Sequence, residues 1–425
     1  MYKIIKFVNC YCYFVVLLLK LIGCNFEKIV IFTKFSLALF KGSVCKCRYY
    51  LLVHSVYKRI NERVFKLLNH IIDLELLSFS DLQEIIQLAG KIMKNPEKYS
   101  DACKGKILGT LFYEPSTRTQ MSFQTAMLRL GGAVIGFDDP MNSSVSKGES
   151  LKDTIKIISG YADIIAMRHP LEGSAKGASL YSDVPIINAG DGGHLHPTQT
   201  LTDIVTLHNE KGRLNHLTIG LCGDLKNGRT VHSLIKTMSH FEGNKFVLIS
   251  TKELGVPPYI KDIMIEQNCE YTEVSSLQEA IPELDVLYMT RIQRERFASE
   301  KEYNAQKGVF VLDREKLSLG REDLKVLHPL PRVDEITEDI DNDPRCVYFK
   351  QAVYGMYARM ALILLTLQGA KYTYSRGKII IDNSGCVNPK CITHSEPYMP
   401  KEFKQKGGLL VCEYCDAQKK NSQVY

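Results

Sequence analysis

The stretch Phe112-Tyr-Glu-Pro-Ser-Thr-Arg-Thr-Gln-Met-Ser-Phe123 decides the fold. Ahead of it, Ile107-Leu-Gly-Thr-Leu111 is an apolar run of strand length; behind it, Met121, Phe123, Ala126, Met127 and Leu130 recur at helical spacing. A strand that turns directly into a helix presents the unpaired N–H groups and positive dipole end of that helix at the turn. Here the turn carries Ser116, Thr117, Arg118 and Thr119, so hydroxyls and a guanidinium surround those N–H groups. That is an anion cradle suited to phosphate. Taken alone, the four residues also read as an ordinary helix cap beside a solvated arginine.

Outward from this turn the chain repeats the pattern. Apolar runs at Ala133–Phe137, Ala162–Met167 and Pro185–Ala189 alternate with helical segments, and a second set comes at Leu217–Cys222, Phe246–Ser250, Val286–Thr290 and Val309–Leu312. This βαβ rhythm predicts two α/β domains, each a doubly wound parallel sheet, joined near residues 200–210. Ser78-Phe-Ser-Asp81 opens a capped amphipathic helix, and Ala352–Gln368 reads as a long apolar helix packing back on the body. Polar residues recur just after the strands, where open α/β sheets bind ligands. They are Arg168-His169-Pro170, Gly190–Gln199, Gly223-Asp-Leu-Lys-Asn-Gly-Arg229, Arg291-Ile-Gln-Arg-Glu-Arg296 and His328-Pro-Leu-Pro331. Several guanidiniums converging on one crevice imply a substrate with more than one negative charge.

The net charge of +7 is uneven. Residues 1–66 hold twelve Lys/Arg against Glu27 and Glu62, which leaves the remainder near −3. The body therefore lacks the basic balance of a nucleic-acid-binding protein. The leader's apolar stretch Cys10–Leu19 is interrupted by Lys20 and is too short to span a membrane. It admits two readings: a lipoprotein-type export signal ending at Leu21-Ile-Gly-Cys24, or an unordered or non-native extension. The second is favoured, because the chain beyond residue 66 reads as a complete enzyme with scattered single cysteines, suited to a reducing, cytoplasmic setting. At the other end, Cys386-x4-Cys391 and Cys412-x2-Cys415 have the spacing of a closed structural zinc site, with disulfides as the alternative.

From about residue 69 to 370 the chain resembles the carbamoyltransferase family, through Phe112-Tyr-Glu-Pro-Ser-Thr-Arg-Thr119. Gly223–Thr230, Met289–Arg296 and His328–Pro331 resemble the aspartate branch rather than the ornithine branch, and Gln120 stands where the signature often has a second arginine. The resemblance implies transfer of a carbamoyl group from carbamoyl phosphate to L-aspartate, in pyrimidine biosynthesis, with no catalytic cofactor. It also implies roles. Ser116, Thr117, Arg118 and Thr119 hold the phosphate, Thr119, Arg168 and His196 polarise the carbonyl, and Gln199 engages the carbamoyl amine. The Pro329 and Leu330 carbonyls meet the carbamoyl nitrogen or the attacking amine, Arg229 grips the α-carboxylate, and Arg291 with Gln293 the β-carboxylate. Ser143 and Lys147 are expected to enter the carbamoyl-phosphate and aspartate sites of a neighbouring subunit, in a homotrimer with shared active sites.

Cys386–His394 resembles the zinc domain of the family's regulatory chain, without room for the nucleotide-binding domain that precedes it there. The expected organisation is a leader at 1–66, a carbamoyl-phosphate-binding domain at 67–203, an aspartate-binding domain at 204–350, and a helix at 351–370. A linker at 371–384 and a zinc domain at 385–425 complete it. The tail is expected to support assembly without nucleotide control. A free zinc ribbon that contacts nucleic acid is the rival, favoured by Lys401, Lys404, Lys406, Lys419 and Lys420 but lacking an aromatic platform. Two other readings of the whole remain: a carbamoyltransferase for another amino acid, and a non-catalytic assembly protein that keeps the fold.

Overall fold

In a computed structural model, the chain is described over residues 70–74, 77–294, 297–369 and 379–420. The leader expected at 1–66, residues 371–378 of the expected linker and Arg296 lie outside these residues.

The first sheet is four parallel strands in the order β2-β1-β3-β4. They are β1 (Ile107–Phe112), β2 (Ala133–Phe137), β3 (Ile164–His169) and β4 (Ile186–Asp191). β1, β3 and β4 are buried along nearly their whole length, which is why they read as continuous apolar runs; edge strand β2 is largely exposed. The helix Phe79–Lys94 opens with Ser78 and Asp81 forming a reciprocal capping box. The second sheet is five parallel strands in the order β7-β6-β5-β8-β9. These are β5 (Thr218–Cys222), β6 (Lys245–Ile249), β7 (Glu270–Val274), β8 (Val286–Met289) and β9 (Lys325–Leu327).

In each sheet the chain winds outward one way and then restarts on the other side of its first strand. The order reverses between β1 and β3, and again between β5 and β8. A crevice opens at such a reversal, because the connections leave on opposite sides. The helix Pro197–Lys211 leads from one sheet to the other and ends at Gly212. The helix Tyr348–Leu367 then returns to pack on it and on the helices Phe79–Lys94 and Thr117–Arg129. Its second half is buried on all faces from Ala358 to Thr366, as a helix at the centre of a core must be.

Two expected elements differ. Val309–Leu312 is not a strand; only Leu312 bridges Ile336, and the edge position beside β8 is taken by Lys325–Leu327. Both runs are short and apolar, and pairing, not hydrophobicity, separates them. The long helix starts at Tyr348, not Ala352, with Val347 at a cap position that makes no side-chain bond, so no capping residue announces it.

The C-terminal domain is a small antiparallel sheet, β10 (Ile379–Ile381), β11 (Glu402–Lys406), β12 (Leu409–Cys412) and β13 (Gln418–Lys420), in sequential order. It docks on the first α/β domain of the same chain. Cys386, Ile392, Met399, Phe403 and Tyr414 join Ile155, Met167, Ala175 and Ala178 in one apolar core. Backbone pairing seals the edge. Glu172 N donates to Lys390 O and Ile392 N donates to Glu172 O, both at 2.9 Å, while Asn388 Nδ2 donates to Glu172 Oε2 at 2.6 Å.

Candidate active site

One cavity of about 850 Å³ spans the two sheet reversals. From the first domain it is lined by Ser116, Thr117, Arg118 and Thr119 after β1, and by Arg168 at the end of β3. His196 and Gln199 come from the loop and helix after β4. From the second domain come Arg229 after β5, Arg291 and Gln293 after β8, and Pro329 and Leu330 after β9. Two switch points thus face each other, each with a pair of guanidiniums. Ser143 and Lys147 do not line this cavity. Ser143 sits between two short turns, Pro140–Asn142 and Ser144–Lys147, capping the second, and Lys147 ends the second turn exposed.

The helix Thr117–Arg129 begins at the cradle itself. Ser116 occupies its N-cap, yet its side chain makes no capping bond, and the first-turn N–H groups stay directed at the cavity mouth. Burial and the neighbouring Arg168 both push the Arg118 guanidinium below its usual pKa. Two cations held this close favour an anion between them. Arg168 Nη2 donates to Glu114 Oε1 at 2.7 Å, and its Nη1 lies 3.3 Å from His196 Nε2. Arg168 Nε and His196 Nδ1 are buried polar atoms with no partner among the described residues. Burial first, then Arg229, Arg168 and Arg359, hold His196 well below the usual histidine pKa, so its imidazole is neutral. Gly190 makes this packing possible: its φ is +127°, and a Cβ there would sit 3.0 Å from Arg168 Nη1.

On the second wall, Arg229 donates to the backbone carbonyl of Gly192, which ties the two domains together across the cavity. Gln293 Nε2 reaches Asn227 O at 3.5 Å, joining the loops after β8 and β5. Leu330 has φ +55°, a costly value for a side-chain-bearing residue. Its N–H donates to His328 Nδ1 at 2.8 Å, and His328 Nε2 lies 2.7 Å from Glu335 Oε1.

Sequence reasoning missed several lining residues. Glu114, Asn227, Thr230 and Tyr348 face the cavity, and so does Lys390 from the four-cysteine domain. Glu114, Asn227 and Thr230 lie inside motifs quoted above, and Glu114 carried the clearest signal, a carboxylate among cation-bearing loops. Lys390 had none, because its position depends on where the tail docks.

Cys386, Cys391, Cys412 and Cys415 bring four buried Sγ atoms within 4.8 Å of one another. Cys386 Sγ lies 3.5 Å from Cys415 Sγ, and Cys391 Sγ 3.9 Å from Cys412 Sγ. Zn–S bonds of about 2.3 Å in a tetrahedron place sulfurs roughly 3.8 Å apart, so the donor set fits such an ion. Asn388 N and Thr393 Oγ1 donate to Cys386 and Cys391 Sγ at 3.4 and 3.2 Å, as partners of bound thiolates do.

Similarity to known proteins divides the chain in the same way. Residues 69–209 match the family model for the aspartate/ornithine carbamoyltransferase carbamoyl-P binding domain, and 215–366 match its Asp/Orn binding domain. Residues 379–425 match the metal binding domain of the aspartate carbamoyltransferase regulatory chain. The aspartate carbamoyltransferase catalytic subunit of Clostridium novyi is 61% identical over 290 residues, which are 68% of this chain and 95% of that protein. That of Lachnoclostridium phytofermentans is 59% identical over 301 residues, 71% and 98%. Among solved structures, the catalytic subunit of M. jannaschii aspartate transcarbamoylase is 47% identical with a TM-score of 0.67, covering 71% of this chain and 99% of that one. Aspartate transcarbamoylase from Trypanosoma cruzi, solved with N-(phosphonacetyl)-L-aspartic acid, is 38% identical with a TM-score of 0.66, covering 69% and 94%.

Proposed function

Because this chain belongs to the aspartate/ornithine carbamoyltransferase family, we infer that its cavity transfers the carbamoyl group of carbamoyl phosphate to the amine of L-aspartate. The products are N-carbamoyl-L-aspartate and phosphate, a step of pyrimidine synthesis. One observation carries the choice of acceptor: Arg229 and Arg291 line the same cavity as Arg118 and Arg168. A dicarboxylate is held by two guanidiniums, whereas the cationic side chain of ornithine would be repelled by them.

The positions in the cavity support the following roles. Ser116, Thr117, Arg118 and Thr119 hold the phosphate on the N-terminus of their helix. Thr119, Arg168 and neutral His196 donate to the carbonyl oxygen, which gains charge as the amine attacks; such fixed donors supply much of the rate in acyl transfers. Gln199 and the Pro329 and Leu330 carbonyls take the N–H groups. Arg229 holds the α-carboxylate and Arg291 with Gln293 the β-carboxylate, fixing the amine in line with the carbamoyl carbon. The carbon–nitrogen bond forms, the carbon–oxygen bond to the phosphate breaks, and the leaving phosphate takes the amine's proton, with no covalent enzyme intermediate.

The active form in this reading is a cytoplasmic homotrimer whose Ser143 and Lys147 complete a neighbour's site. Supporting it, both residues lie outside their own chain's cavity. Edge strand β2 also exposes Ile135, and the helix Thr117–Arg129 exposes Met121 and Leu128, apolar groups suited to meeting a second copy. No helix among the described residues is long and apolar enough to cross a membrane. The four cysteines hold zinc as a structural ion, and the domain around it is an assembly and docking element, not a nucleic-acid ribbon. The direct test is carbamoyl transfer by the purified chain with aspartate and ornithine in parallel, before and after chelation. Turnover with aspartate alone is expected; turnover with ornithine, or with neither, overturns the acceptor assignment.

A further inference from the structure

Behind the cavity lies a carboxylate that takes no part in the transfer chemistry. Asp203, on the helix Pro197–Lys211, is fully buried (0% exposed) where that helix meets β8 and the helix Tyr348–Leu367. Its Oδ1 accepts two side-chain amides, Gln199 Nε2 at 2.8 Å and Gln351 Nε2 at 2.7 Å, and its Oδ2 accepts the Tyr288 hydroxyl at 2.9 Å. Burial pushes the carboxyl up to about 7, although the three donors and Arg359 pull it back. An acid this costly to bury needs a reason for its presence.

The reason lies in hydrogen-bond polarity. Both amides meet the same oxygen, Oδ1; with any proton of the acid on Oδ2, beside the Tyr288 hydroxyl, Oδ1 accepts and cannot donate, whereas an amide does both, at ends that differ only by a half-turn. Any amide that meets Asp203 must turn its NH₂ inward and its carbonyl outward. Gln199 lines the cavity, so its outward carbonyl is an acceptor for an N–H group there. Gln351, turned the same way, accepts His328 N on its Oε1 at 2.9 Å, at the root of the His328–Pro331 turn. Both walls that face the carbamoyl nitrogen are thus referred to one buried group.

We propose that Asp203 is a positioning residue that fixes the acceptor polarity of Gln199 and the seat of the His328–Pro331 turn, and so makes the cavity select a carbamoyl amine. The inference rests on the carbamoyl-transfer reading. It separates Asp203 from a merely structural buried acid by one consequence: its loss harms a ligand with an amine more than an isostere without one.

Carbamoyl phosphate and acetyl phosphate differ by NH₂ against CH₃ at the same carbonyl, which makes them the probes. Their dissociation constants are measured on wild type and Asp203→Asn by competition, with inorganic phosphate as a third ligand. The near-isosteric Asn offers an NH₂ as well as a carbonyl and no longer dictates which way Gln199 lies. Carbamoyl phosphate is expected to weaken by about 10- to 100-fold, acetyl phosphate and phosphate by less than about threefold, a loss of the size of a hydrogen bond to a misdirected partner. Gln199→Ala should compress the preference equally, and Asp203→Asn added to it should change nothing further. Equal weakening of all three ligands, or an intact preference in Asp203→Asn, overturns the proposal. A wild-type chain that holds acetyl phosphate as tightly as carbamoyl phosphate instead removes the functional reading beneath it. Where Asp203→Asn yields no folded chain, Asp203→Ser carries the same comparison, since its hydroxyl also both donates and accepts.

Discussion

Gly173 packs against Tyr414 of the four-cysteine domain, and replacing it tests whether that contact is tight. Its φ is +81°, and a Cβ there would meet Tyr414 Cβ at 2.5 Å, Tyr414 O at 2.6 Å and Tyr414 C at 2.7 Å. The left-handed conformation costs Gly173→Ala about 1–2 kcal/mol. The overlap is with the Tyr414 main chain and the Cβ fixed to it, which cannot swing aside, and overpacking of this kind adds about 1–3 kcal/mol. Together these weaken docking by roughly 2–5 kcal/mol, if the two terms add. Gly369→Ala is the control, since Gly369 has φ +80° and nothing within 4 Å of its Cβ position. Amide exchange reads the effect where it acts. The Glu172 and Ile392 N–H groups bridge the domains through backbone carbonyls, next to Gly173. Their exchange should speed up by roughly thirty- to several-thousand-fold in Gly173→Ala, at tenfold per 1.4 kcal/mol. In Gly369→Ala they should be unchanged. Wild-type exchange at both amides in Gly173→Ala would refute the argument that the tail is clamped through this loop.

Further outcomes are expected elsewhere. Arg118→Ala should lower affinity for carbamoyl phosphate and Arg291→Ala affinity for aspartate, each by about 10²-fold or more in kcat/KM, as lost charge-assisted bonds do; the same ligand failing in both variants would end the division of labour. The imidazole resonances of His196 should stay in the neutral form through the range near pH 6.5 where an ordinary histidine titrates. His196 lies well below the usual value, and His169 is lowered by burial to about 4 despite Asp191. Groups with depressed histidine pKa values take up fewer protons folded than unfolded, which lowers denaturant stability as pH drops from about 6.5 towards 4, while Asp203, raised to about 7, acts in the opposite sense over the same window; with Asp203 replaced by Asn the fall should stand alone, and a flat profile in that variant would contradict the burial of both rings. Mixed trimers of Lys147→Ala and Arg118→Ala chains should recover about a quarter of wild-type activity, from sites drawing one intact residue from each chain; no recovery would place both residues in one chain's site. Chelation, or Cys386→Ser, should expose the shared core to a hydrophobic dye, and a silent dye would show that no ion holds the tail together.

The strand ends were readable because their polar loops interrupt fully buried apolar runs, so Arg168, Arg229 and Arg291 could be placed on one edge from sequence. Glu270–Val274 was not readable as a strand: at an exposed edge its glutamates face water and no apolar run forms. Asp203 was invisible for the opposite reason. One acid inside a helix reads as a solvated face, and only the approach of β8 and the helix Tyr348–Leu367 buries it. The cysteine spacing declared a chemistry, but Ile392, Met399, Phe403 and Tyr414 carry no hint of what they pack against. Docking depends on shape across roughly 200 residues of intervening chain, which local pattern does not encode.

The domain that elsewhere belongs to a separate regulatory chain is here part of the same polypeptide. Its grip on the first sheet is therefore unimolecular. Two free proteins meeting through the same surface would part on dilution, whereas a tethered partner stays at an effective concentration on the order of millimolar however dilute the solution. The stoichiometry is fixed at one to one by translation, and no excess of either half can arise. A contact kept at that concentration can be weak by the standards of subunit interfaces and still be occupied nearly all the time. Lys390 thus remains at the cavity wall without an association step to put it there.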